Sequence, residues 1–161
     1  MAEPRAVTMR VDGRRRSGLA EPRLLLSDFL RHELGLTSVH VACEQGGCGA
    51  CLVRLDGRSV LSCLVLAVQA DGTEIVTAES LARGGRLHPI QQAFQAKHGL
   101  QCGYCTPGML IATQDLLEAS ADPTDAEIRG HLSGNVCRCT GYAGIVAAVH
   151  EAALLLREER A

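Results

Sequence analysis

The chemistry in this chain sits in its cysteines. There are eight in 161 residues, and they form two sets of four. Cys43, Cys48, Cys51 and Cys63 are spaced C-x4-C-x2-C-x11-C, and Cys102, Cys105, Cys137 and Cys139 are spaced C-x2-C-x31-C-x-C. Thiols grouped in this way cross-link, bind metal or carry out redox work. Their density is below that of a disulfide scaffold. The "RRRSG" at 14–18 has the look of a twin-arginine export signal, but the "LAEPRLLLSDFLRHELG" that follows carries charge throughout, where an export segment is uninterrupted apolar sequence. No stretch approaches the apolar length of a membrane span. The chain therefore reads as cytoplasmic, where thiols stay reduced and clustered cysteines serve metals or redox. A net charge of −2 gives no support to a general nucleic-acid or membrane-surface role.

The first quartet lies mostly in "CEQGGCGAC" (43–51), with three cysteines and three glycines in nine residues. Its spacing is that of plant-type ferredoxins, which hold a 2Fe-2S cluster. Such a cluster is an anion once four thiolates bind it, so the loop must turn backbone N–H groups toward it. Gly46, Gly47 and Gly49 permit that approach because they lack side chains. Cys63 arrives from a returning strand and closes the site. Zinc ribbons pair two C-x2-C knuckles, and this pattern fits them poorly.

The second quartet is less explicit. Cys102 and Cys105 lie between two helical patterns, and Cys137 and Cys139 lie between two more. Two helical hairpins would present two thiols each, face to face, in a pseudo-twofold arrangement. Thr106-Pro107 and Thr140 would set helix N-termini beside the pairs, stabilising an anion there. On spacing alone, zinc is a serious rival to a cluster at this site.

The elements that must hold these thiols divide near 78–88. Before that point the pattern is mostly strand. Val7, Met9 and Val11 alternate, and Asp12-Gly13 turns the chain. Between Pro22 and Gly35 the residues Leu26, Phe29, Leu30 and Leu34 repeat at helical spacing. Strands follow over 51–55, 59–68 and 73–78, separated by Asp56-Gly57 and Asp71-Gly72. The order β-β-α-β-β-β predicts a small mixed sheet with a helix across it. "ESLARGGRLHPI" (79–90) reads as a linker. Beyond it come four helices. Ile90, Ala93, Phe94 and Lys97 mark the first, which Gly99 stops. Thr106 as N-cap and Pro107 at the first helical position open the second. A capping box at Thr124-Asp125-Ala126-Glu127 opens the third, which Gly134 ends, and the fourth follows Thr140. Short connections predict an antiparallel bundle. With only Phe29, Phe94, Tyr104 and Tyr142 as aromatics, the cores rest on aliphatic residues, and domains this small gain from a metal staple.

Taken together, "CEQGGCGAC", "SCL" (62–64), "LHPIQQAF" (87–94), "QCGYCTPGM" (101–109), "PTDAEI" (123–128) and "GNVCRCTGY" (134–142) occur in an order and spacing that resemble the iron–sulfur small subunit of the molybdenum hydroxylases, the xanthine dehydrogenase, aldehyde oxidoreductase and carbon monoxide dehydrogenase type. The resemblance covers roughly residues 5 to 150. It implies an α+β architecture: a β-grasp 2Fe-2S ferredoxin-like domain over 1–80 and an all-α four-helix-bundle 2Fe-2S domain over 81–161. It implies a large partner subunit with a molybdopterin-type cofactor, a medium FAD-binding subunit, and assembly as a heterotrimer or a dimer of heterotrimers. This chain would be the non-catalytic electron-transfer component. It would pass electrons singly from the molybdenum centre through the helical-domain cluster, then the ferredoxin-domain cluster, to FAD or another acceptor. The family also places the Gln of QCGYC and the last Cys of CRC against the pterin, here Gln101 and Cys139. On sequence alone Gln101 is a solvated helix-end residue. Two positions depart from the family pattern, Ala42 where Gly is common and Leu52 where Thr is common, and neither removes a ligand.

Other residues add little chemistry. The six histidines read as structural or surface groups, since a Rieske site would need two of them in place of two cysteines and both quartets are complete. Arg138 either screens cluster charge or faces a partner. Tyr104 is expected to pack over the cluster or against a partner. Asp115, Glu118 and Asp122 read as a solvated helix face, with no paired acid and base. The alternatives to the electron-transfer subunit are a stand-alone two-cluster ferredoxin and a zinc-binding structural module. A free ferredoxin is usually strongly acidic, whereas this chain is near neutral and 47% hydrophobic, which favours burial in a complex.

Overall fold

A computed structural model describes residues 3–159. Strands β1 (Arg5–Val11) and β2 (Arg14–Ala20) form an antiparallel hairpin. Val7, Met9 and Val11 all point into the core, each 1% exposed, so the alternation in the sequence is the sheet's inner face. Asp12 and Gly13 are both left-handed, at φ 49° and 77°, which matches the twist of the strands they join. Strands β3 (Leu52–Leu55), β4 (Arg58–Leu61) and β5 (Glu74–Val76) complete a five-stranded mixed sheet of order β2-β1-β5-β3-β4. The central pair β1–β5 is parallel and the other pairs are antiparallel.

The helix expected between Pro22 and Gly35 is a single α turn, α1 (Leu26–Asp28), that widens into a π-helical turn over Phe29–Glu33. Leu26, Phe29 and Leu30 are fully buried against the sheet. The wide turn lets Leu34 N–H reach the Phe29 carbonyl at 3.1 Å before Gly35, at φ 72°, ends the element. The strand expected over 59–68 is shorter. After Leu61 the chain turns into a 3-10 coil at Ser62–Leu64, where Ser62 Oγ donates to the Cys51 carbonyl at 2.7 Å. That bond draws Cys63 out of the strand direction and toward the cysteine loop. The last strand is also cut short, because Thr77 leaves the ladder to bond both carboxylate oxygens of Asp12.

The second half contains α2 (Pro89–Ala96), α3 (Thr106–Ala119), α4 (Asp125–His131) and α5 (Ala143–Glu158). The caps differ from expectation in several places. His88 caps α2, its Nδ1 accepting from Ile90 N–H while Gln91 Oε1 accepts from His88 N–H. His98, left-handed at φ 53°, ends α2 just before Gly99. Cys105 is the N-cap of α3, so Thr106 and Pro107 are its first two residues. The Thr124–Glu127 capping box forms as expected. After α4 a 3-10 turn at Leu132–Gly134 intervenes, and α5 starts at Ala143 rather than directly after Thr140.

Two hydrophobic cores result. One lies between the sheet and α1, built from residues such as Val7, Phe29, Val53 and Ile75. The other lies among the helices, built around Phe94, Met109, Ile111, Ile128 and Ile145, with Leu52 of β3 packed against it. The cores meet along α3. Arg54 of β3 makes a bidentate contact with Glu118, at 2.7 Å to each carboxylate oxygen, and its Nε lies 3.2 Å from Asp115. Ser59 also hydrogen-bonds Asp115. The acidic face that the sequence suggested was solvated is therefore a tie between the halves, while Asp122 pairs with Arg157 at 3.2 Å.

Candidate cluster sites

All eight cysteines are free thiols, and within each quartet the sulfurs meet in couples. In the first, Cys43 and Cys48 are half-buried and Cys51 and Cys63 are buried. Cys43 faces Cys48, and Cys51 faces Cys63. The N–H of Gln45, with the Cys48 thiol and the N–H groups of Gly47 and Cys48, converges on the Cys43 sulfur and holds its pKa down to about 6. Burial, with Cys51 beside it, pushes Cys63 up to about 11 despite an N–H from Gly46. The loop thus lays a row of amide dipoles on sulfur, which is what an anionic cluster requires.

The three loop glycines do different work. A Cβ on Gly46 would lie 2.7 Å from the Leu64 side chain. Gly49 is tighter still, because a Cβ there would lie 2.5 Å from the Asn135 side-chain nitrogen and 2.7 Å from the Gly134 carbonyl oxygen. Gly47 has open space around it and contributes its N–H to Cys43.

In the second quartet each thiol finds its neighbour in the other loop. Cys102 and Cys139 stand 3.5 Å apart and are exposed, while Cys105 faces Cys137, which is buried. Tyr104 N–H, together with the Cys139 thiol, lowers the Cys102 pKa, and the Cys102 thiol raises that of Cys139. Burial pushes Cys105 up to about 12. Burial also opposes ionisation of Cys137, but the Thr140 hydroxyl and the N–H groups of Thr140 and Cys139 outweigh it. The Thr140 hydroxyl lies 3.2 Å from the Cys137 sulfur.

Both sites suit a two-iron cluster better than one ion. A tetrahedral zinc site needs its donors gathered around a single point, about 2.3 Å from each sulfur. Among the described residues, no three Cys, His, Asp or Glu side chains are so gathered. The sulfurs stand instead in couples, an arrangement that would suit the two irons of a 2Fe-2S cluster.

Several residues that build these sites are not thiols. Tyr142, left-handed at φ 68°, accepts from Cys137 N–H at 2.8 Å and donates to the Asn135 carbonyl at 3.0 Å. Asn135 is buried and donates to the Gly49 carbonyl at 3.2 Å. Val136 N–H donates to the Cys48 carbonyl at 2.9 Å. Gly108 of α3 closes the same contact: a Cβ there would lie 2.1 Å from the Gly49 carbonyl oxygen. The two cysteine loops thus touch each other directly. On the far side, Gln101 is exposed beside exposed Cys102.

Comparison with known proteins agrees with this geometry. The sequence model of a 2Fe-2S iron-sulfur cluster binding domain matches residues 9–87, and that of a [2Fe-2S] binding domain matches residues 77–150. The chain is 50% identical to caffeine dehydrogenase subunit gamma of Pseudomonas sp. (strain CBB1), over 89% of this chain and 87% of that one. It is 49% identical to the nicotine 6-hydroxylase small subunit of Paenarthrobacter nicotinovorans, over 91% and 88%. Its structure superposes on that of quinoline 2-oxidoreductase from Pseudomonas putida 86 with a TM-score of 0.94 and 40% identity, covering 99% of this chain and 100% of that one. The same unit forms 18% of the longer aldehyde oxidoreductase chain of Desulfovibrio desulfuricans, with a TM-score of 0.90. The chain belongs to the iron–sulfur small subunits of the molybdenum hydroxylase family. It is a two-cluster electron-transfer component of an oxidoreductase, with a ferredoxin-like and a helical 2Fe-2S domain. No helix among the described residues is long and apolar enough to cross a membrane.

Proposed function

We propose that this chain joins a large subunit carrying a molybdopterin-type cofactor and a medium subunit binding FAD, in a cytoplasmic complex, and carries electrons between them. The domain boundary falls at 80/81. Cys43, Cys48, Cys51 and Cys63 hold one cluster, and Cys102, Cys105, Cys137 and Cys139 hold the other. When bound, the clusters supply one-electron carriage. The chain's own residues hold and shield them. The N–H groups of Gln45, Gly47 and Tyr104 stabilise sulfur-borne charge. Burial of Cys51, Cys63 and Cys137 keeps water from the inner sulfurs.

One observation carries the order of the relay. The helical site exposes Cys102 and Cys139 beside Gln101, and on its other side Val136, next to Cys137, hydrogen-bonds Cys48. The exposed edge is then the face toward the pterin, with Gln101 and Cys139 in contact with it, and the ferredoxin-like domain is the exit. Relatives named for caffeine, nicotine, nicotinate and quinoline favour an N-heterocycle as the substrate of the large subunit. The test is purification of the native complex. We expect a brown assembly with iron, acid-labile sulfide, a much larger molybdenum-containing chain and FAD, active on a panel of N-heterocycles. Isolation of this chain as a stable lone monomer, with no molybdenum-containing partner, would overturn the proposal.

A further inference from the structure

The loop that carries Cys102 and Cys105 is held from outside its own domain. Tyr104, between those cysteines, is 47% exposed, yet every polar group it has is engaged with a neighbour. Its hydroxyl donates to the Val41 carbonyl at 2.5 Å. Its carbonyl is 2.8 Å from His40 Nδ1, and since a carbonyl only accepts, that nitrogen carries the proton. Its ring stacks on the His40 ring, with centroids 4.8 Å apart and planes 28° apart. Its N–H points at the Cys102 sulfur.

The receiving segment is itself fixed. Arg31 donates to the carbonyls of Thr37 and Val39, at 2.7 and 2.6 Å, so residues 37–41 are pinned to the π-helical turn on one side and to Tyr104 on the other. Two residues further on is Cys43. A line of contacts therefore runs from the ferredoxin-like core, through Arg31 and His40, to the amide that faces a sulfur of the helical site.

We propose that His40 and Tyr104 are positioning residues: a clasp from the ferredoxin-like domain that aims the Tyr104 N–H at Cys102 and so sets the reduction potential of the helical-domain cluster. The inference rests on Cys102 being a ligand of that cluster. Reduction adds negative charge to the cluster, and an N–H aimed at a ligand sulfur stabilises the reduced form, which raises the potential. The His40 bond fixes the peptide that follows the Tyr104 Cα, and stacking with the Val41 bond fixes the ring, so the Cα is held from two sides and the preceding peptide, which carries the N–H, has little room to turn. Without the clasp the turn relaxes and the potential falls. The other cluster gains nothing from this N–H and keeps its potential.

The experiment is a redox titration of the native complex, following the electron paramagnetic resonance signals of both reduced clusters. His40→Phe keeps an aromatic ring and removes the Nδ1 donor, and His40→Asn restores a donor of similar reach. We expect His40→Phe to shift the helical-domain cluster to a more negative potential and broaden its signal, His40→Asn to recover most of the shift, and the ferredoxin-domain cluster to stay unmoved in both. An unmoved helical cluster in His40→Phe overturns the clasp, and so does an equal shift of both clusters or a failure of Asn to rescue. If His40→Phe does not load its clusters, Tyr104→Phe takes its place. That variant keeps the stack and the His40 bond but loses the Val41 bond, and a smaller negative shift of the same cluster is expected; no shift overturns the proposal. Two signals with full iron and sulfide in the wild type test the ligand reading separately, so the two failures are distinguishable.

Discussion

The two cysteine sites solve one problem by different routes. The first takes three of its four thiols from a continuous run of nine residues and needs only one turn, Ser62–Leu64, to deliver the fourth. The second takes two thiols from each of two loops separated by 31 residues, and every couple is made between loops rather than within one. A local loop can present its amides to sulfur by its own backbone path. An assembled site depends on helices arriving at the correct spacing, and here also on the neighbouring domain. The first site consequently draws its thiols from one domain, while the second is exposed on one edge and braced on the other.

The largest test of that difference is Cys139→Ser. It should abolish the helical-domain cluster signal, leave the ferredoxin-domain signal intact, and stop electron delivery from the partner subunit. Electron paramagnetic resonance with single-turnover kinetics checks it. Two intact signals with normal turnover would remove Cys139 from the ligand set.

A smaller effect should follow from Gly108→Val, which leaves all eight thiols in place. An added Cβ would lie 2.1 Å from the Gly49 carbonyl oxygen, so the loops must part. We expect a cost of about 3 kcal/mol in chemical unfolding, in the range of overpacked interiors. The magnetic coupling between the two reduced clusters should weaken. A variant of wild-type stability and coupling would mean that the contact between the sites is loose.

The smallest effect concerns the tie remote from both sites. Arg54→Met should cost about 2 kcal/mol at neutral pH by leaving Asp115 and Glu118 without their cation. Arg54 holds the Glu118 carboxyl below its ordinary value. A carboxylate with a lowered pKa contributes stability that is complete above about 4.5 and is lost as pH falls through the lowered value. The stability gap between wild type and variant should therefore be constant from pH 7 to about 5 and narrow below that, as measured by unfolding midpoints. A gap independent of pH would assign the loss to packing of the arginine stem.

The sequence made the first site and the strand–helix division legible because both depend on near neighbours. The C-x4-C-x2-C spacing, the Asp-Gly turns and the Thr124 capping box act within a few residues. What it concealed acts at long range. Asn135 reaches Gly49 across 86 positions and Arg54 reaches Glu118 across 64, and no period or spacing in the sequence links either pair. Gly108 reads as an ordinary glycine near a helix start until the Gly49 carbonyl is seen against it. Tyr142 and His40 were hidden for a similar reason. Each works through a backbone group whose direction only the folded chain defines. The shortened strands and the π turn reflect the same rule, since Thr77 and Ser62 are drawn from the sheet by distant partners.

The contact of Gly49 with Gly108 and Asn135 also bears on how such subunits can be recombined. The linker over 79–90 looks like the natural seam, yet the close fit lies elsewhere, between residues 49, 108 and 135. A chimera that joins the ferredoxin-like half of one relative to the helical half of another at the linker splits a matched surface. It will work only where both parents carry the same small residues on the two sides of that surface. Exchangeable modules in this family are therefore better drawn around the pair of clusters than around each one.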